Sequence, residues 1–250
     1  GRQSINAITP DTSIKRNAKN DIDIKAADKK IKIQRINDAT DEEIQEANRK
    51  IEEAKIEAKD NIQRNSTRDQ VNEAKTNGIN KIENITPATT VKSEARQAVQ
   101  NKANEQINHI QNTPDATNEE KDEAKRLLEI SKNKTITNIN QAQTNNQVDN
   151  AKDNGMNEIA TIIPATTIKT DAKTAIDKKA EQQVTIINGN NDATDEEKAE
   201  ARKLVEKAKI EAKSNITNSD TEREVNGAKT NGLEKINNIQ PSTQTKTNAK

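Results

Sequence analysis

Residues 38–59 read DATDEEIQEANRKIEEAKIEAK, and the same frame returns at 115–136 as DATNEEKDEAKRLLEISKNKTI. In the first copy Ile44, Ala47, Ile51, Ala54, Ala58 and Ile62 recur at steps of three and four. That is the seam of a helix packed in a bundle. Just before the seam stands Thr40-Asp41-Glu42-Glu43. This is a capping box, in which the threonine hydroxyl accepts from the amide three residues on and the carboxylate there reaches back. The box recurs at Thr117…Glu120 and Thr194…Glu197.

The recurrence is regular along the chain. Asp38, Asp115 and Asp192 open the triplets at a step of 77 residues. Pro10, Pro87, Pro164 and Pro241 keep the same step, as do Gly1, Gly78, Gly155 and Gly232. Constant length between diverged anchors reads as a geometric unit, since loops drift in length first. Recent duplication leaves the same trace. The division is 1–9 as the end of one repeat, then 10–86, 87–163 and 164–240, with 241–250 opening another.

Each repeat reads as three helices. In the middle one, the first helix starts near Thr89 or Thr90 as N-cap and carries Val91, Ala95, Ala98, Val99, Ala103, Ile107 and Ile110 on one face. Asn112-Thr113-Pro114-Asp115 breaks it, and the Thr117 box opens the second helix. The third opens with another box, Thr144…Gln147, matched by Thr67…Gln70 and Thr221…Glu224. Its stripe is Val148, Ala151, Gly155, Ile159 and Ile162. A glycine inside a helix costs about 0.5–1 kcal/mol relative to alanine. At Gly78 and Gly155 it therefore reads as close packing against a neighbouring backbone, or else as a helix break at Asn-Gly. Short links make the bundle antiparallel. The fold class is all-α, tandem three-helix bundles joined end to end into an elongated rod. An odd number of helices brings the chain in at one end and out at the other. The joints are Ile85-Thr86-Pro87-Ala88-Thr89 and Ile162-Ile163-Pro164-Ala165-Thr166. Proline restrains its own φ and that of its predecessor, so Pro87 and Pro164 suit a defined joint better than a swivel.

Composition excludes several functions. The 250 residues hold no Phe, Tyr, Trp or Cys and one His. Hydrophobic residues are 29%, too few and too small for one large core, yet enough for several thin ones. Charged residues are 33% with zero net charge. Without basic runs or aromatics, no nucleic acid is expected as partner, and no apolar stretch is long enough for membrane insertion.

Catalytic, cofactor and metal residues are all expected to be none. His109 corresponds to Lys32 and Ile186 in the flanking repeats, so no imidazole recurs, and it reads as a surface residue. Met156 corresponds to Ile79 and Leu233 and reads as core. The acidic helix starts are of a kind that binds Ca²⁺ weakly, but capping and the helix dipole account for them. Asn65-Ser66-Thr67 and Asn133-Lys134-Thr135 fit the glycosylation pattern, as chance allows in so Asn- and Thr-rich a chain. The charged faces read as solvated, with local pairs such as Glu46–Lys50, Asp60–Arg64 and Asp122–Arg126.

The run from the Thr117 box through Q-V-x-x-A-K-x-N-G to P-A-T-T-I-K, Thr117 to Lys169, has a counterpart at Thr40–Lys92. It resembles the repeat of domain-of-unknown-function family 1542, found in tandem in large wall-anchored surface proteins of staphylococci. The resemblance covers essentially the whole chain. It implies an extracellular, cell-wall setting and a stalk serving adhesion, cell clustering or biofilm. It carries over no catalytic residues. Partners on this reading are neighbouring repeats of the same chain. A second reading makes each bundle a weak, multivalent site for a host extracellular-matrix or serum protein of the fibronectin kind, or for another copy of itself. A third is a cytosolic scaffold.

Overall fold

The computed structural model describes residues 13–248. The segment 1–9, the anchors Gly1 and Pro10, and the last two positions of 241–250 lie outside the described residues. Among the described residues ten helices follow in order: α1 (Ser13–Ile33), α2 (Asp41–Arg64), α3 (Arg68–Glu83), α4 (Thr90–Gln111), α5 (Asn118–Gln141), α6 (Asn145–Ala160), α7 (Thr167–Asn188), α8 (Asp195–Asn218), α9 (Glu222–Asn237) and α10 (Gln244–Asn248). No strand occurs among them.

The chain forms two compact units. Unit 1 runs to Asn101 and takes in Asn133–Met156; unit 2 holds Lys102–Lys132 and everything from Asn157 on. The helices of the middle repeat are thus shared out between them, and each unit is described by itself.

In unit 1, α1, α2 and α3 each contact the other two, closing a three-helix bundle. Its core alternates small and large. Ala18, Ile22, Ala26 and Ile33 come from α1, with Ala47, Ile51, Ala54, Ala58 and Ile62 from α2. Val71 and Ile82 come from α3. Alanine interspersed with isoleucine keeps the core thin and lets the helices approach closely. Ile22, Ile51, Ile62 and Ile82 are fully buried, each worth roughly 1.5–3 kcal/mol of transfer free energy. Unit 2 repeats the plan in α7, α8 and α9 around Ile176, Ile187, Val205 and Ile216.

Helix α3 is shorter than α2 and runs through Gly78 without interruption. A Cβ on Gly78 would lie 2.5 Å from Ala58 Cβ and 2.9 Å from Ile22 Cδ1. On Gly232 it would lie 2.5 Å from Ala212 Cβ and 2.8 Å from Ile176 Cδ1. At Gly155 the near atom is Thr135 Cγ2, at 2.1 Å. The third helix therefore nestles against the second at van der Waals limits.

Charged pairs decorate the seams. Lys59 meets Asp23 across α1–α2 at 2.7 Å, and Lys213 meets Asp177 across α7–α8 at the same distance. Such half-exposed pairs contribute about 0–1 kcal/mol each. Within helices, Glu46 reaches Lys50 at 3.6 Å and Arg49 at 2.6 Å. Arg126 pairs with Glu123 at 2.7 Å rather than with Asp122, which takes Lys125. The longer glutamate spans one turn where the short aspartate does not serve the guanidinium as well.

Placing a side chain at Gly78 tests the packing. Gly78→Leu should cost about 1–3 kcal/mol through overpacking against Ala58 and Ile22, despite leucine's better helix propensity. A lowered urea midpoint with an unchanged slope is the expected reading.

Candidate functional site: the joint between repeats

The joint is built on helix starts. Thr40 precedes α2 with extended backbone, φ −85° and ψ 165°. Its Oγ1 accepts from Glu43 N at 3.3 Å, while Glu43 Oε2 accepts from Thr40 N at 2.9 Å. Thr117 with Glu120 and Thr194 with Glu197 form the same reciprocal pair before α5 and α8. Third helices are started alike by Thr67 with Gln70, Thr144 with Gln147, and Thr221 with Glu224.

Glu43 has a second oxygen. Its Oε1 accepts from Thr90 N at 2.9 Å, Val91 N at 3.2 Å and Thr90 Oγ1 at 3.1 Å, at the first turn of α4. In unit 2, Glu120 Oε1 accepts from Ile168 N and Thr167 Oγ1, both at 3.1 Å, at the first turn of α7. Glu197 Oε1 does the same for Thr245, at 3.2 and 2.9 Å. The threonine cap expected on the first helix of the middle repeat has no counterpart at α7. Thr166 has φ −131° and ψ 20°, and its side chain makes no cap bond. A glutamate from the preceding repeat supplies the acceptor instead.

Electrostatics follow from this geometry. Burial alone pushes the Glu43 carboxyl up, but the amides of Thr40, Val91 and Thr90 and the Thr90 hydroxyl outweigh it, and the net direction is down. Glu120 behaves likewise with Thr117, Ile168 and Thr167. The Thr194 amide, aided by Thr245 and Ser242, lowers Glu197 from 4.5 to about 2.

The neighbouring atoms also pair across the joint. Asp41 N donates to Gln143 O at 2.8 Å in unit 1, and Asn118 N donates to Asp220 O at 2.8 Å in unit 2. Glu42 Oε2 accepts from Asn145 N at 3.0 Å, and Glu119 Oε2 from Glu222 N at 2.9 Å. Lys92 is 2% exposed and donates to Asn37 O at 2.7 Å and Asn140 O at 3.0 Å. Lys169, also 2% exposed, donates to Pro114 O at 3.2 Å and Thr217 O at 2.9 Å. A buried ammonium is tolerable only with such acceptors. Outside it, Arg96 grips Asp38 at 2.7 Å and Lys173 meets Asp115 at 3.0 Å. Pro87 and Pro164 are buried in the links, and Pro87 walls a small dimple of about 210 Å³ with Glu42, Glu43 and Ala47.

Reading the sequence finds the boxes and the prolines but misses the second role of Glu43 and Glu120 and the buried Lys92 and Lys169. The signal lies in a recurrent Glu-Glu doublet, and in a lysine on the same step of 77 residues. Elsewhere, His109 is exposed beside a shallow dimple of about 380 Å³ with Gln106, Ile163 and Pro164. Among the described residues, no three His, Cys, Asp or Glu are placed to hold a metal, and no helix is long and apolar enough to cross a membrane.

The family model described as Domain of Unknown Function (DUF1542) matches residues 14–90, 91–167 and 168–244. The chain is similar to the extracellular matrix-binding protein ebh of Staphylococcus aureus strain MRSA252, 28% identical over 94% of the chain and 2% of that relative. It is 27% identical to the extracellular matrix-binding protein EbhA of strain Mu3, over 94% of the chain and 4% of the relative. The ebh protein of strain USA300 is 27% identical over 82% of the chain and 2% of its own length. The chain thus spans a small fraction of the curated relatives it matches. No solved structure matches it.

Two measurements probe these helix starts. Thr117→Ala should lower stability by about 0.5–2 kcal/mol, because the Glu120 amide loses its acceptor. Acid should also weaken the protein. The capping carboxylates Glu43, Glu120 and Glu197 all bind protons less readily folded than unfolded, so their contribution is present at neutral pH and is lost in acid; for Glu197 it is complete above 4.5 and drains away as pH falls towards about 2. A urea midpoint lower at about pH 3 than at about pH 7 is expected.

Proposed function

Because the chain belongs to the DUF1542 family, matched three times in succession, we propose that it is a length of structural stalk in a bacterial cell-surface adhesion protein. Its setting is extracellular, at the staphylococcal type of cell surface. The stalk spaces or projects adhesive regions and so supports attachment or biofilm. Each repeat, drawn from proline to proline as 10–86, 87–163 and 164–240, is one three-helix bundle whose partners are the bundles before and after it. The family matches draw the same period a few residues later, at the helix start.

One observation carries the reading. The joint of unit 1 and the joint of unit 2 share most of their hydrogen bonds, displaced by one repeat: Asp41 to Gln143, then Asn118 to Asp220. A defined joint with buried proline and no glycine favours a fixed step over a flexible string. Helices of 22 to 24 residues give a step on the order of 30–40 Å. Catalysis has no part in this reading, since the conspicuous polar groups are occupied in capping helices.

The relatives' description as extracellular matrix-binding proteins favours a second reading, a weak multivalent module for a host matrix protein. Leu127 and Leu204, one repeat apart and each nearly half exposed, are what such a surface would offer. Small-angle scattering separates stalk from globule. A compact chain of this length has a radius of gyration of about 18 Å, whereas the stalk should exceed about 28 Å and extend on the order of 100 Å or more. A value near the lower figure would remove the spacer. Binding to immobilised fibronectin by this chain, saturable and growing steeply with repeat number, would establish the module instead.

A further inference from the structure

Among the described residues six capping boxes divide by where the partner side chain's oxygens go. At the third helices the partner residue is Gln70, Gln147 or Glu224, and its side chain serves the chain just before its own helix. At the second helices the partner is Glu43, Glu120 or Glu197, never glutamine. An amide side chain has one acceptor oxygen and a carboxylate has two. The glutamine boxes show that one oxygen suffices to start a helix. The second-helix position needs two because Oε2 closes its own box while Oε1 takes the first-turn amides of the next repeat.

We infer that Glu43 and Glu120 are folding clamps, each tying the first helix of one repeat to the second helix of the repeat before it. The dependence runs forward along the chain. Helix α7 has no side-chain cap of its own, so the amide of Ile168 finds its acceptor only on Glu120. If the second helix of the preceding repeat frays at its start, the following repeat loses the cap on its first. Lys169 then also loses the Pro114 carbonyl that helps to satisfy its buried ammonium. Opening of one repeat is thereby passed to its successor as a loosened first turn. This coupling holds whether the array is a stalk or a set of binding modules.

The test uses the whole chain and residue-resolved amide hydrogen exchange. Glu120→Gln retains one acceptor oxygen and can still close its own box, as Gln147 does. It should speed exchange at the Ile168 amide by about tenfold or more and leave the Glu120 amide at the start of α5 unchanged. Thr117→Ala is the complement. It should speed exchange at the Glu120 amide and, because Glu120 moves with the fraying turn, at Ile168 as well, whereas Glu120→Gln affects Ile168 alone. Glu43→Gln, read at the amides of Thr90 and Val91, repeats the experiment at the other joint and serves if the first variant does not fold. Unchanged protection at Ile168 in Glu120→Gln overturns the inference. So does equal loss at both helix starts in that variant, which would mark general destabilisation, or loss at α5 alone, which would mean that the single oxygen goes forward. A scattering result that removed the stalk would leave this exchange pattern untouched.

Discussion

Every helix begins with amides that its own backbone cannot satisfy. In this chain the supply of acceptors for those amides organises nearly everything else. Thr40 and Glu43 satisfy the start of α2, and Glu43 goes on to satisfy α4. Because the donors are backbone groups and the acceptor is charged, these bonds belong to the stronger class, roughly 1.5–3 kcal/mol for a typical case. A protein with only thin cores has reason to rely on them. With Ala and Ile as its chief core residues, each bundle buries little per residue.

The thin core in turn constrains the helices. Alanine on α2 and glycine on α3 let the two axes come close, so that Ala58 and Gly78 meet where larger side chains would hold them apart. The gain is dispersion contact between backbones; the cost is a residue with low helix propensity in the middle of α3. The position 77 residues on shows the same economy by different means: Gly155 faces the branched Thr135 in place of alanine. The spacing of the helices is held, while the residue that fills it changes.

Much of the fold is legible in the amino-acid sequence. The all-α class follows from steps of three and four in Ile44, Ala47, Ile51 and Ala54, a local property of one helix. Helix starts can be read from Thr-x-x-Glu because the reciprocal bond spans a single turn. The part that joins residues far apart escapes such a reading. Glu43 to Thr90, Lys92 to Asn37 and Asp41 to Gln143 link positions that no periodicity brings together. Lys92 in particular looks like one more surface lysine, since nothing in a charge-rich sequence tells a buried ammonium from a solvated one. Thr89 and Thr90 are good cap residues, so the first helix of the middle repeat is expected to cap itself. At α7, one repeat on, the threonine before the helix makes no side-chain cap bond and Glu120 supplies the acceptor.

The joint consists largely of main-chain atoms meeting a few side chains. Glu120 reads amides, Lys169 reads carbonyls, and Asn118 and Asp220 pair backbone to backbone. Apart from the Thr90 and Thr167 hydroxyls and the outer pairs Arg96–Asp38 and Lys173–Asp115, little of this depends on what side chains the neighbour displays. Repeats that have drifted far apart in sequence can therefore sit in any order, provided each keeps its Thr-x-x-Glu, its proline and its lysine. A gene for such an array can gain or lose whole repeats by unequal exchange, and every new junction meets the same amides as the old one. Length becomes a property that heredity can adjust in units of one repeat, without redesigning a single interface.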